Sequence, residues 1–141
     1  MKRILLLINQ PAPPYSDFSA MFSGLLADSG QFDLEVTDDR DRLRDLSDFD
    51  AAAFYIGGGT LTEDQEKGIT GFVRQGGGLL AVHGANVGLA QYTDYIEMIG
   101  TDFIGHDPLG PFDVNVASDV DDILPRLSTS FRVEDECYNM A

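Results

Sequence analysis

The chain has 141 residues, enough for one domain with a single core, and 43% hydrophobic content with 10% aromatic residues marks it as globular rather than disordered. Twenty-four acidic against nine basic residues give a net charge of −15, a surface that repels phosphate backbones and argues against a nucleic-acid partner. One cysteine, Cys137, excludes an internal disulfide framework and a cysteine-based metal cluster, and the apolar runs are too short to span a membrane, so a cytoplasmic location is expected.

Lys2 and Lys67 are the only lysines, and aspartate outnumbers glutamate. Two readings stay open: adaptation to high salt, where counterions screen self-repulsion, or an ordinary acidic cytosolic protein.

In chain order, "RILLLIN" is a continuous apolar run, which suits a strand covered on both faces. Its basic start is followed by prolines and an acidic residue, so it reads as a first strand rather than a signal peptide. "QPAPPYSD" breaks it, and Ser16 or Asp17 can cap a helix carrying Phe18, Met21, Phe22, Leu25 and Leu26 on one face. "DSG" ends that helix, and "FDLEVTD" alternates as a strand near a sheet edge. "DRDRLRDLSDFD" is a charged connector.

"AAAFYI" is a second buried strand, followed at once by "GGGT". The next segment is helical: Thr60 with Glu63, or Thr62 with Gln65, fits a capping box, and Leu61, Ile69, Phe72 and Val73 form an apolar stripe. "GLLAVH" is read as another buried strand, "GLAQYTDYIEMIG" as a helix, "PFDVNVA" as a strand, "DDILPRL" as a turn or short helix, and "TSFRVEDECY" as a final strand with its exit loop. Strands alternating with helices across short glycine-rich turns predict one α/β domain over residues 1–141, with a mostly parallel sheet. In such sheets ligands bind at the carboxyl ends of the strands. The "NQPAPPY", "GGGT" and "HGAN" turns fall there.

The third of these turns carries the most chemistry. In Ala81-Val82-His83-Gly84-Ala85, small residues flank an apex at the end of a strand, the pattern of a nucleophile elbow with histidine in place of serine or cysteine. Histidine there suits proton transfer, metal binding or polar-substrate recognition. The alternative is a structural histidine bonded to a loop carbonyl. His106 is expected on a loop before Pro108. Asp135, Glu136 and Tyr138 bring two carboxylates and a phenol near a strand end, where a solvated surface is the alternative. No elbow surrounds Cys137, so a catalytic thiol is not expected. Gly58 and Gly59 lack the lysine of a P-loop and read as backbone room for a ligand, or as a tight turn. A metal site would need His83, His106 and Asp135 or Glu136 to meet from three loops.

The motifs at Gly57 to Thr60, Gly76 to Gly84, Ile99 to Pro108 and Asp135 to Tyr138 together resemble the ThuA-like family, over about residues 50–138. The resemblance implies a three-layer, flavodoxin-like α/β sandwich of the class I glutamine amidotransferase-like type. It also implies a role in using trehalose or a similar sugar, as a hydrolase or isomerase of a sugar derivative, or as a non-catalytic sugar-binding or regulatory domain. His83, Asp135 and Glu136 are then the candidate catalytic residues. Gly58, Gly59, Gly84, His106 and Tyr138 are the candidate contacts to a sugar-like ligand, and no cofactor is specified. Glutaminase chemistry through the usual thiol is not expected with histidine at the elbow. Three departures stand out. The first loop has no histidine, Asp107 separates His106 from Pro108, and the chain ends three residues after Tyr138, where relatives commonly continue. An exposed strand edge would follow, and with it a homodimer.

Overall fold

The computed structural model describes residues 1–9, 12–116 and 129–141. These fall into two compact units, Met1–Asp102 and Phe103–Ala141. "DDILPRL" lies outside the described residues.

The first unit is built on the apolar runs. Strand β1 (Lys2–Ile8) sends Leu5 and Leu7 to one side of the sheet and Leu6 and Ile8 to the other, and all four are buried. Two covered faces explain why the run is continuous rather than alternating. β2 (Phe32–Thr37), β3 (Ala51–Tyr55) and β4 (Gly78–Val82) complete a parallel sheet in the order β2-β1-β3-β4. This is the start of the flavodoxin-like order, with its switch point between β1 and β3.

On one face, helix α1 (Tyr15–Ser29) lays Tyr15, Phe18 and Phe22 over Leu6, Ile8 and Ala53. On the other, α2 (Glu63–Arg74), α3 (Thr93–Ile99) and the 3-10 turn Arg40–Arg44 bury Ile69, Tyr95 and Leu43 against Leu5, Leu7 and Phe54. The unit is therefore a three-layer sandwich.

Three local expectations need amendment. Helix α1 starts at Tyr15, one residue before the first expected cap, and no side chain caps it. Met21 and Leu25 of its apolar stripe are exposed, because the helix meets the sheet along Tyr15, Phe18 and Phe22 only. β4 is not a buried strand: it pairs with β3 alone among the described strands, and Leu80 is 49% exposed. By contrast β2 lies at the opposite edge, as its alternation predicts.

Helix α2 opens with the reciprocal Thr62–Gln65 capping box. The buried Gln65 amide also donates to Asp41 (2.7 Å), which accepts a hydrogen bond from Arg44 (2.9 Å). Arg44, then Gln65, hold the Asp41 carboxyl below its ordinary range. A lowered folded-state value stabilises the protein above the unfolded carboxylate range and loses that effect as pH falls through it. Asp41→Ala is thus expected to lower the urea midpoint at pH 7. At pH 3 its deficit should be smaller; an unchanged deficit would assign the loss to packing alone.

The second unit holds two antiparallel pairs. β5 (Phe103–His106) pairs with β8 (Tyr138–Met140), and β6 (Gly110–Asn115) pairs with β7 (Ser130–Asp135). Among the described residues, no helix is long and apolar enough to cross a membrane.

Candidate functional site

His83 sits where the sequence pattern puts it, immediately after β4 at the carboxyl edge of the sheet. It has φ 57°, and among the described residues it is the one non-glycine residue with positive φ. This left-handed conformation costs a side-chain-bearing residue roughly 1–2 kcal/mol. The chain then makes a 3-10 turn, His83–Asn86, rather than entering an α-helix at once.

Small neighbours fit a close approach of backbone here. A Cβ on Gly84 would lie 3.0 Å from the Gly57 Cα and 3.1 Å from the Ile56 carbonyl oxygen. The Gly58 N–H donates to the Gly84 carbonyl at 3.4 Å, so the "GGGT" and "HGAN" turns touch through backbone. Tyr95, fully buried, donates its hydroxyl to the Ala85 carbonyl (2.8 Å), fixing the turn from below. The His83 ring stands 5.6 Å, centroid to centroid, from that of Tyr55 at the end of β3. The structure thus gathers His83, Gly84, Gly58 and Gly59 at one edge of the first unit.

Residues not foreseen from the sequence join them. Asn9, just past β1, donates to the Tyr15 hydroxyl (3.1 Å) and to the Gly57 carbonyl (2.9 Å). Arg40, just past β2, donates to the Gly58 carbonyl (2.8 Å), the Asn9 side-chain oxygen (3.1 Å) and the Thr60 carbonyl (3.2 Å). Every strand of the sheet therefore contributes to this edge through the segment that follows it. The sequence signal for Asn9 was its place in a turn at a strand end. For Arg40 there was none, because "DRDRLRD" is uniformly charged.

The remaining candidates lie in the second unit. His106 ends β5 rather than occupying a loop, directly across from Tyr138 in the ladder. Its Nδ1 is 2.9 Å from the Asp107 carbonyl oxygen, which fixes Nδ1–H as the donor and leaves Nε2 facing Glu136 at 3.8 Å. The ring of Tyr138 lies 6.2 Å from that of His106 and packs edge-on against Phe103 at 4.9 Å. Asp135 instead accepts from the Glu136 N–H (2.8 Å), a bond that shapes the turn. So His106, Glu136 and Tyr138 form one cluster, and Asp135 braces it. Among the described residues, no group of three His, Cys, Asp or Glu side chains is placed to hold a metal ion.

Comparison with known proteins agrees with this architecture. The family ThuA, described as trehalose utilisation, matches residues 11–141. A solved ThuA-like protein of Bacteroides uniformis superposes with a TM-score of 0.80 at 19% identity, covering 99% of this chain and 61% of that one. A second, from Parabacteroides merdae, gives 0.77 at 16% identity, with 99% and 63% covered. The chain thus spans about three-fifths of the length of these two relatives, and at such identities the likeness speaks for the fold. No curated protein matches the chain.

Proposed function

Because the chain belongs to the ThuA family, whose description is trehalose utilisation and whose role is carbohydrate-related, we propose that it acts on a sugar derivative at the carboxyl edge of the four-stranded sheet. One observation carries this reading: His83 holds a left-handed backbone at the tip of β4, beside a glycine loop packed so closely that a Cβ on Gly84 would lie 3.0 Å from the Gly57 Cα. Strain of this kind persists where surrounding structure enforces it, and it clusters at ligand sites.

In this reading the His83 imidazole takes or returns a proton at a sugar hydroxyl, or hydrogen-bonds it. Gly58, Gly59 and Gly84 let the ligand approach backbone closely. Imidazole, unlike a thiolate, does not favour the covalent route of glutaminases. In the second unit, taken by itself, His106 beside Glu136 offers an acid–base pair and Tyr138 a phenolic donor, with Asp135 setting their loop. Sugars present many hydroxyls and little charge, which suits such groups. The reaction class is hydrolysis or isomerisation.

The experiment is calorimetric titration, followed by product analysis, with trehalose and with trehalose oxidised to its keto form. Binding of either sugar, abolished in His83→Ala, is the expected result. Turnover would make the site catalytic, and binding without turnover would make it a recognition domain. Unaltered binding in His83→Ala would overturn the assignment of the site.

A further inference from the structure

We propose that the same edge receives the carboxylate of an acidic sugar, held by the Arg40 guanidinium and the backbone N–H groups of Gly59 and Thr60. The proposal rests on the sugar-site reading and adds the charge of the ligand.

The carrying observation is a missing partner. Among the described residues, every other lysine and arginine lies within 4.0 Å of a carboxylate. Arg40 does not, in a chain with 24 acidic and nine basic residues. Its three bonds go to neutral oxygens, those of Gly58, Asn9 and Thr60. Such acceptors orient a guanidinium without cancelling its charge, and two of its five N–H groups meet no acceptor among the described residues. The side chain is also half-buried. A partly desolvated charge without a counterion is costly, and a bound anion removes that cost.

The loop supplies the rest. Gly58 and Gly59 have φ 66° and 107°, and a Cβ on Gly59 would lie 2.5 Å from Arg40 Nη2. A Cβ there would push the guanidinium aside, and at φ 107° a side chain would be strained as well. The Gly59 and Thr60 N–H groups meet no acceptor among the described residues. Arg40 reaches Asn9 at the end of β1 and Gly58 after β3, which is the switch point of the sheet. Its charge is also felt at the His83 turn. It opposes the upward shift that burial imposes on Tyr95, whose hydroxyl holds the Ala85 carbonyl. One guanidinium in so acidic a protein suits a singly charged carboxylate better than a phosphate dianion.

The test is a matched series on the intact chain by titration calorimetry: glucuronate, glucose and glucose 6-phosphate, with trehalose alongside. Glucuronate is expected to bind at least about tenfold more tightly than glucose, the scale of a hydrogen bond to a charged group. The preference should shrink as salt is raised, vanish in Arg40→Gln and partly return in Arg40→Lys. Equal binding of glucuronate and glucose, or tighter binding of glucose 6-phosphate, overturns the proposal. Should Arg40→Gln not fold, the wild-type series still decides. Trehalose binding without a glucuronate preference removes only this inference, whereas no binding of any of the four removes the sugar-site reading as well.

Discussion

Gly68→Ala is expected to destabilise the protein by about 2–3 kcal/mol, against the roughly 1 kcal/mol gain that alanine brings to an ordinary helix interior. The reason is contact. Gly68 lies within α2, where that helix crosses the Arg40–Arg44 turn. A Cβ there would fall 1.9 Å from the Leu43 carbonyl oxygen and 2.9 Å from the Arg44 Cα. Both obstacles are backbone, so no rotamer change relieves the overlap. Leu43 is fully buried in the core, so the turn cannot retreat without opening it. Overpacking of this kind should appear as a lower urea midpoint and a melting temperature reduced on the order of 10 °C. Gly71→Ala in the same helix is the control, since its Cβ would meet nothing closer than 3.9 Å. If both variants gain stability, the close packing of α2 on the turn is wrong. A shifted α2 would also disturb the Arg40 that leads the turn, so Gly68→Ala should weaken ligand binding at a distance.

The parallel sheet was legible because β1 and β3 carry unbroken apolar runs, and only burial on both faces tolerates such runs. The exposure of β4 was not legible, because "GLLAV" is just as apolar and an edge is defined by what fails to pair with it. His83 was legible from sterics alone: small residues on both sides of an apex leave few backbone geometries. Gly84 followed from the same pattern, whereas Gly58 and Gly59 were read from the separate "GGGT" turn at the end of the preceding strand. Arg40 was hidden because composition cannot separate a loop clamp from its ion-paired neighbours, Arg42 with Glu35 and Arg44 with Asp41. The distinction lies in the direction of the chain after β2, which only the fold sets. Pro108, two residues past His106, predicts a loop there. In fact "FIGH" extends along Tyr138–Met140, with Gly105 (φ 155°) at an irregularity in the ladder.

Loss of the His83 ring is expected to abolish sugar binding and, if the site is catalytic, to cost at least about a hundredfold in turnover, the scale of a removed general base. Stability should move differently, and that difference separates a functional histidine from a structural one. His83→Ala and His83→Gly remove the same ring, and with it the same contact with Tyr55. They differ only in Cβ. At φ 57° alanine keeps the left-handed cost while glycine escapes it, at the expense of a more flexible unfolded chain. The first effect is about 1–2 kcal/mol and the second about 0.5–1 kcal/mol, so His83→Gly should be the more stable of the pair by up to about 1.5 kcal/mol. Both should lose sugar binding equally. Asparagine, which accepts this backbone region, should fold like the glycine variant and bind no better, whereas valine should be the least stable of the four. Urea midpoints and calorimetry on the same preparations measure both quantities. Retained sugar binding in His83→Gly, with a stability loss well beyond that of a surface substitution, would mean that the ring supports the turn and the ligand is held elsewhere.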